Sequence, residues 1–170
     1  GEGFMGEAYV GDPYAKAAAH AENNGIVMDL AATNQWFGGW TDFAWRAPKL
    51  QDMVIYEAHL RDLTIDPSSG VPEPLRGKYE GIVASAGTGT GLDHLKALGV
   101  NMIEFLPLEE FNNGPTAHNW GYSTVFYFAP EASYARDPLR GSQVYEMKRM
   151  VNELHKQGFG VIMDVVYNHV

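Results

Sequence analysis

Three groups of residues have types and spacing that suit chemistry on a polar, ring-shaped ligand. Asp164-Val165-Val166-Tyr167-Asn168-His169 ends the most apolar run of the chain with a carboxylate, a carboxamide and an imidazole. Asn119-Trp120-Gly121-Tyr122 places two large aromatic rings around a glycine that permits a tight turn. Such rings stack on the apolar face of a pyranose while their polar tips bond its hydroxyls. Glu109-Glu110 is a carboxylate pair suited to acid–base work, although adjacent acids on a loop are expected to point apart into solvent. Asp164 lies in an apolar run, where an unpaired charge is strongly disfavoured. It therefore needs a fixed partner, an arginine or backbone amides. On residue types alone, the aromatics also suit loop packing, His169 an ordinary loop histidine and Asn168 a turn cap.

Weaker candidates are set aside by spacing. Gly87-Thr88-Gly89-Thr90-Gly91 imitates a phosphate-binding turn, but Leu92 occupies the third glycine position of a dinucleotide fingerprint, and no Gly-Lys-Ser/Thr is present. Glu57 and His59 share one face of an extended run with Arg61 after it, which predicts a buried hydrogen-bond network. No His-Glu-x-x-His metal spacing occurs.

The elements that must hold these residues are read from periodicity. Met53-Val54-Ile55-Tyr56, ending near Leu60, reads as a strand buried on both faces. A Gly/Pro-rich loop runs to about residue 88. Thr90 with Asp93 resembles a capping box for a helix with the stripe Leu92, Leu95 and Leu98, closed by Gly99. Asn101–Leu106 is a second apolar strand, stopped by Pro107, and a long polar and aromatic loop comes after it. Ser142 can cap a helix whose stripe is Val144, Met147, Val151 and Leu154, ended by Gly158. Phe159–Tyr167 is the third buried strand. Strands alternating with amphipathic helices imply a parallel sheet, either a barrel or an open doubly wound sheet. The ligand site of such a fold lies at the carboxyl ends of its strands. The loops after the first two strands run to about 30 residues where about 2–6 is usual, as expected of loops that build a site. Residues 1–48 differ: Trp36, Trp40, Trp45 and paired glycines suggest short strands joined by turns, either the tail of a preceding β-rich domain or a wrap against the α/β region. Tyr14–Glu22 has helix-forming composition but little length.

The composition narrows the classes. The 170 residues include 12 Lys+Arg and 21 Asp+Glu, for a formal charge of −9, and no cysteine. Disulfide frameworks, thiolate metal sites and thiol nucleophiles are excluded. The acidic balance argues against a nucleic-acid partner. No apolar run approaches the ~20 residues that span a bilayer. The first residues lack the basic and apolar regions of a signal peptide, so no membrane or leader segment is expected, and cytoplasmic and secreted locations both stay open.

Several motifs in register carry a family resemblance. Tyr56-Glu57-Ala58-His59-Leu60-Arg61-Asp62, then Asp66–Gly70, Gly77-Lys78-Tyr79 and Gly91–Gly99, resemble the first-strand region of pullulanases and related debranching enzymes of glycoside hydrolase family 13, the α-amylase family. Asn119–Tyr122, Phe128-Ala129-Pro130-Glu131 and Ser133-Tyr134-Ala135 resemble the second-loop motif of the same group. Asp164–His169 resembles the first of the family's four conserved regions, and Asp12–Lys16 the stretch that closes the carbohydrate-module sandwich before the barrel.

The resemblance implies a partial (β/α)8 TIM barrel that retains configuration while hydrolysing α-glucosidic bonds. Residues 49–170 would be its first three strands and two helices, and residues 1–48 the tail of a preceding β-sandwich. It implies that Tyr122 stacks on the glucose ring, that His169 bonds its hydroxyls and that Trp120 walls the pocket. Asp164 would orient the site. Asn168 matches a position that binds calcium in many α-amylases, the one cofactor implied. Ser123 departs from the Asp-Pro that pullulanases carry after this tyrosine, leaving pullulan and glycogen both open as the α-glucan. Retaining glycosidases need two carboxylates about 5–5.5 Å apart, and the family places them after later strands. No catalytic residue is therefore assigned here, and the isolated chain is expected to be inactive and to need the remaining barrel or self-association to cover its sheet edges. The alternative is a non-catalytic glucan-binding or assembly module.

Overall fold

A computed structural model of the chain describes residues 11–19, 25–113 and 120–168. Three short strands, β1 (Ile55–Ala58), β2 (Met102–Phe105) and β5 (Gly160–Met163), form a parallel sheet in the order β1-β2-β5. The register sets Tyr56 beside Ile103 and Val161, and Glu57 beside Glu104 and Ile162. Because side chains alternate across a sheet, these two rows lie on opposite faces. The first row faces a core that includes Ile82, Leu92, Leu95, Ile103, Phe105, Met150, Leu154 and Phe159. Asn101 joins the strand starts: its Oδ1 accepts from Val54 N at 2.8 Å, and its Nδ2 donates to Asp52 O at 2.9 Å.

The expected double burial holds for β2 but not for its neighbours. Ile55 is 48% exposed, and Met163, Val165 and Tyr167 are exposed as well. Only β2 is flanked on both sides among the described residues, so hydrophobic composition alone does not bury an edge strand. Both edge strands are also shorter than their apolar runs.

The loop after β1 is not structureless. It contains α2 (Tyr79–Ala84), which packs on α4 (Ser142–Lys156) through buried Tyr79 and Ile82. Glu80 ties the two helices by accepting from Arg149 Nη1 at 2.7 Å, and it accepts from Arg136 Nη1 at 3.2 Å. Packing thus imposes a helix on a Gly/Pro-rich stretch whose local preference does not announce one. The second long loop likewise contains an antiparallel hairpin, β3 (Glu109–Phe111) and β4 (Thr124–Pro130), with shifts in register along β3.

Helix α3 (Leu92–Ala97) begins at Gly91, and its Leu92 N–H donates to the hydroxyl of Ser85 at 3.0 Å. The capping box does not form: Thr90 Oγ1 donates to Ser69 O at 2.6 Å, and Asp93 accepts from Gly89 N at 2.8 Å. Leu92 and Leu95 are buried while Leu98 is exposed. Gly141 precedes α4 in the cap position, and the Ser142 hydroxyl accepts from Asp137 N instead. Val144 and Leu154 of the α4 stripe are buried, Met147 and Val151 are half-buried, and Met150 joins them in the core.

Residues 14–19 are not helical. The helix of this region is α1 (Leu30–Trp36), where Asp29 accepts from Ala31 N and Ala32 N at 2.9 and 3.1 Å. An aspartate cap outweighs a run of alanines. In place of the expected short strands, the described part shows only an isolated pairing of Ala18 with Gly25. The segment wraps α4: Gln143 Nε2 donates to Ala18 O at 2.7 Å, and Thr41 N donates to Asn152 Oδ1 at 2.7 Å. Trp45 stacks on His155 with ring centroids 4.0 Å apart, and His155 is paired with Asp42.

Candidate substrate-binding site

The face of the sheet opposite the helices carries Glu57, Glu104 and, one step past β5, Asp164. The backbone N–H of Asp164 donates to Phe105 O at 3.0 Å, extending the ladder beyond the strand. Its side chain is partly buried at the carboxyl end of the sheet and accepts a 2.5 Å hydrogen bond from the hydroxyl of Tyr122. Among the described residues, the side-chain partner of Asp164 is a tyrosine, where an arginine or backbone amides were expected. Spacing cannot show this, because the two residues are far apart in sequence and meet only when the hairpin folds over the sheet.

The hairpin positions Tyr122. Asn112 N donates to Ser123 O at 2.9 Å, so the two arms stay paired up to the tip. Gly121 lies at φ +94, and a Cβ there would sit 2.7 Å from Pro107 O. Only glycine allows this approach, which brings Tyr122 to the end of β2 and towards Asp164. Bonding to Asp164, followed by desolvation and the charges of Asp164, Glu57 and Glu104, raises the Tyr122 phenol to about 12. The hydroxyl stays protonated and keeps its proton aimed at the carboxylate.

Of the residues marked out by sequence, Tyr122 and Asp164 are brought together. Trp120 lies two residues before Tyr122 in the chain and is 61% exposed. Asn168 is exposed. His169 lies outside the described residues. Among the described residues no group of three His, Asp or Glu could hold a metal.

Two expectations about acids are overturned. Glu57 is exposed on the open face; the buried network formed without it joins His59 Nε2 to the Tyr134 hydroxyl at 3.2 Å. Glu109 and Glu110 do not point into solvent but are buried at the base of the hairpin. Glu110 accepts from Ala132 N at 2.7 Å, and burial, then the nearby Glu131, pushes its carboxyl up to about 8. Burial also raises Glu109. Glu131, fully buried, accepts from Ser133 N, Phe111 N and Asn113 Nδ2 at 2.8, 3.1 and 3.1 Å. These acids hold the hairpin that carries Tyr122. Residue types and spacing do not mark Glu104 and Glu131 as functional; the signal for Glu104 is a lone acid inside an apolar strand, in step with Glu57.

No protein-family profile matches the chain. Among curated proteins it is 38% identical to isoamylase 3, chloroplastic, of Oryza sativa subsp. japonica, over 99% of this chain and 23% of that one. It is 37% identical to the pullulanase of Bacillus subtilis (strain 168), over 94% of this chain and 23% of that one. Among solved structures it matches the pullulanase of Paenibacillus barengoltzii in complex with maltohexaose and alpha-cyclodextrin, with a TM-score of 0.80 and 37% identity, covering 95% of this chain and 27% of that one. The chain thus spans about a quarter of the length of these relatives.

Proposed function

Over the residues it contains, the chain belongs to the pullulanase and isoamylase group of debranching glycoside hydrolases, and on that premise we propose that it supplies part of the sugar-binding wall of an α-glucan debranching hydrolase. In this reading residues 49–170 are the first three strands of a (β/α)8 barrel that cleaves α-1,6-glucosidic bonds with retention, and residues 1–48 come from the end of a preceding sandwich. The observation that carries the reading is the Tyr122 hydroxyl donated to Asp164 at the carboxyl end of the sheet.

The bond restrains the phenol ring and leaves its face to the ligand. A glucose ring stacks there through its apolar C–H face. The phenol oxygen, its proton committed to Asp164, is left to accept from a sugar hydroxyl. Exposed Trp120 extends the platform, and the family resemblance gives His169 the role of bonding sugar hydroxyls. Glu57 and Glu104 give the open face a negative field that suits a cationic, oxocarbenium-like transition state. Asp164 is committed to Tyr122, so no nucleophile or general acid is assigned among these residues. The isolated chain should therefore bind a glucan without cleaving it, and pair with further barrel strands or with itself.

Titrating maltotriose against intrinsic tryptophan fluorescence tests the reading. The chain should give a saturable response that Tyr122→Ala weakens at least ~10-fold. No response, or one that Tyr122→Ala leaves unchanged, removes it. The non-catalytic module is the second reading, favoured by the commitment of Asp164 to Tyr122. Reducing-sugar release from pullulan by an enzyme that adds the rest of a pullulanase barrel to this chain separates the two. Release supports the hydrolase, and binding without release supports the module.

A further inference from the structure

We propose that the pocket between the loop after β1 and the turn after β4 binds a phosphate group, either as the inorganic anion or as the phosphate ester of a sugar. Arg61, Arg76 and Lys78 line this cavity of about 310 Å³ with Ser133 and Tyr134, and no carboxylate lines it among the described residues. In a chain with a net charge of −9 and only 12 Lys and Arg, three cations in one small pocket are a strong local reversal of sign.

The backbone brings the cations together. Gly77, at φ +68, separates Arg76 from Lys78, and a Cβ on it would lie 3.0 Å from Cγ of Arg61, so the Arg61 stem packs directly over this turn. Gly77 N donates to Thr64 Oγ1 at 2.9 Å, which ties the turn to the segment after β1. Arg76 Nε donates to Val71 O at 2.9 Å, orienting the guanidinium while its Nη groups form no hydrogen bond among the described residues. Those groups form the planar fork that takes two oxygens of a phosphate. Lys78 Nζ donates to Ser133 O at 2.6 Å, and burial lowers the pKa of its ammonium. The half-buried ammonium thus sits beside a neutral carbonyl, with Glu146 and Glu131 as the charges that act on it.

The acids nearby are already engaged or stand back from the cavity. Asp62 pairs with Arg61 at 3.3 Å, Asp66 caps the turn at Ser68 while feeling the charge of Arg76, Glu146 accepts from Arg136 N, and Glu131 holds the hairpin. A bound dianion would meet two guanidinium groups and an ammonium. The Tyr134 ring, part of the cavity lining, offers an apolar wall to a sugar attached to it.

Calorimetric titration of the 170-residue chain at low ionic strength tests the site, with inorganic phosphate, glucose 6-phosphate and glucose as probes. Both anions should bind and glucose should not. Arg76→Gln and Lys78→Gln should each weaken anion binding at least ~10-fold, and added salt should weaken it further. Tighter binding of glucose 6-phosphate than of phosphate assigns the sugar ester; equal or weaker binding assigns the free anion. Circular dichroism verifies that each variant folds. Should Arg76→Gln not fold, the same loss in Arg61→Gln, at a partly exposed position, serves in its place. No heat from either anion, equal affinity in all folded variants, or glucose binding as well as its phosphate overturns the proposal.

Discussion

The molecule has two acid-rich regions, and it treats them in opposite ways. At the base of the hairpin, Glu109, Glu110 and Glu131 are buried, and Glu110 and Glu131 accept from backbone amides. At the mouth of the sheet, Glu57 is exposed, Glu104 and Asp164 are partly open, and Asp164 takes the hydroxyl of Tyr122 as its partner. Burial raises the carboxyls of Glu109 and Glu110, and Glu110 is the extreme case. In the second group the carboxylates act on the tyrosine instead, raising its phenol. An acid's surroundings, then, decide whether it is buried within the fold or left open at the mouth of the sheet. The two groups are coupled here, because the buried acids hold the hairpin whose tip delivers Tyr122.

The largest effect should come from removing the anchor of the buried group. Glu131→Ala leaves the N–H groups of Phe111 and Ser133 and the Asn113 amide without their acceptor, and a buried orphan donor costs about 1–3 kcal/mol. A loss of ~3 kcal/mol in urea unfolding is expected, with the maltotriose response lost alongside. Normal stability would show that the carboxylate is not the anchor.

Next is a pH effect confined to the same region. Folded Glu110 keeps its proton up to about pH 8, whereas an unfolded glutamate releases it near 4.5. Its contribution is therefore fully present below pH 4.5, declines as pH rises and is gone above about 8. Stability should fall across this window, and Glu110→Gln should flatten the fall. A wild-type profile no steeper than that of the variant would contradict the buried, protonated state.

A smaller change should come from Gly121→Ala, which forces a methyl group against Pro107 O in a left-handed conformation. Stability should fall by about 1–2 kcal/mol, while the maltotriose response drops by a larger factor than stability explains. Unchanged sugar affinity would show that this turn does not set the position of Tyr122.

The smallest effect belongs to the open group. Asp164→Asn should change stability by less than ~1 kcal/mol at this solvent-accessible site. The phenol of Tyr122 should titrate from about 12 back toward its ordinary 10, as ultraviolet absorbance reads. A Tyr122 titration that stays near 12 would assign the shift to another cause.

Much of the scaffold was legible in the chain. β2, α3, α4 and β5 lie within the predicted segments, because a run of apolar residues, a 3.6-residue stripe and a terminal glycine are local signals. Gly99 and Gly158 both take positive φ where a helix must stop. The elements that periodicity does not reveal have a common cause. Helix α2 exists because Tyr79 and Ile82 find α4, and β3 and β4 exist because they find each other. Leu98 fits its stripe but lacks a neighbour to bury it. At the candidate site, Tyr122 and Asp164 were identifiable by residue type and by family resemblance, whereas the hydrogen bond between them was not.

The sequence alone determined the alternation of strands and helices, the debranching-enzyme relationship and the aromatic and acidic residues suited to a sugar. Those properties depend on residue type and on spacing within a few turns of chain. Tertiary structure decided which acids are buried, which partner Asp164 takes and where three cations converge. Desolvation and hydrogen bonding act through space, and their outcome depends on neighbours that the chain brings from tens of residues away.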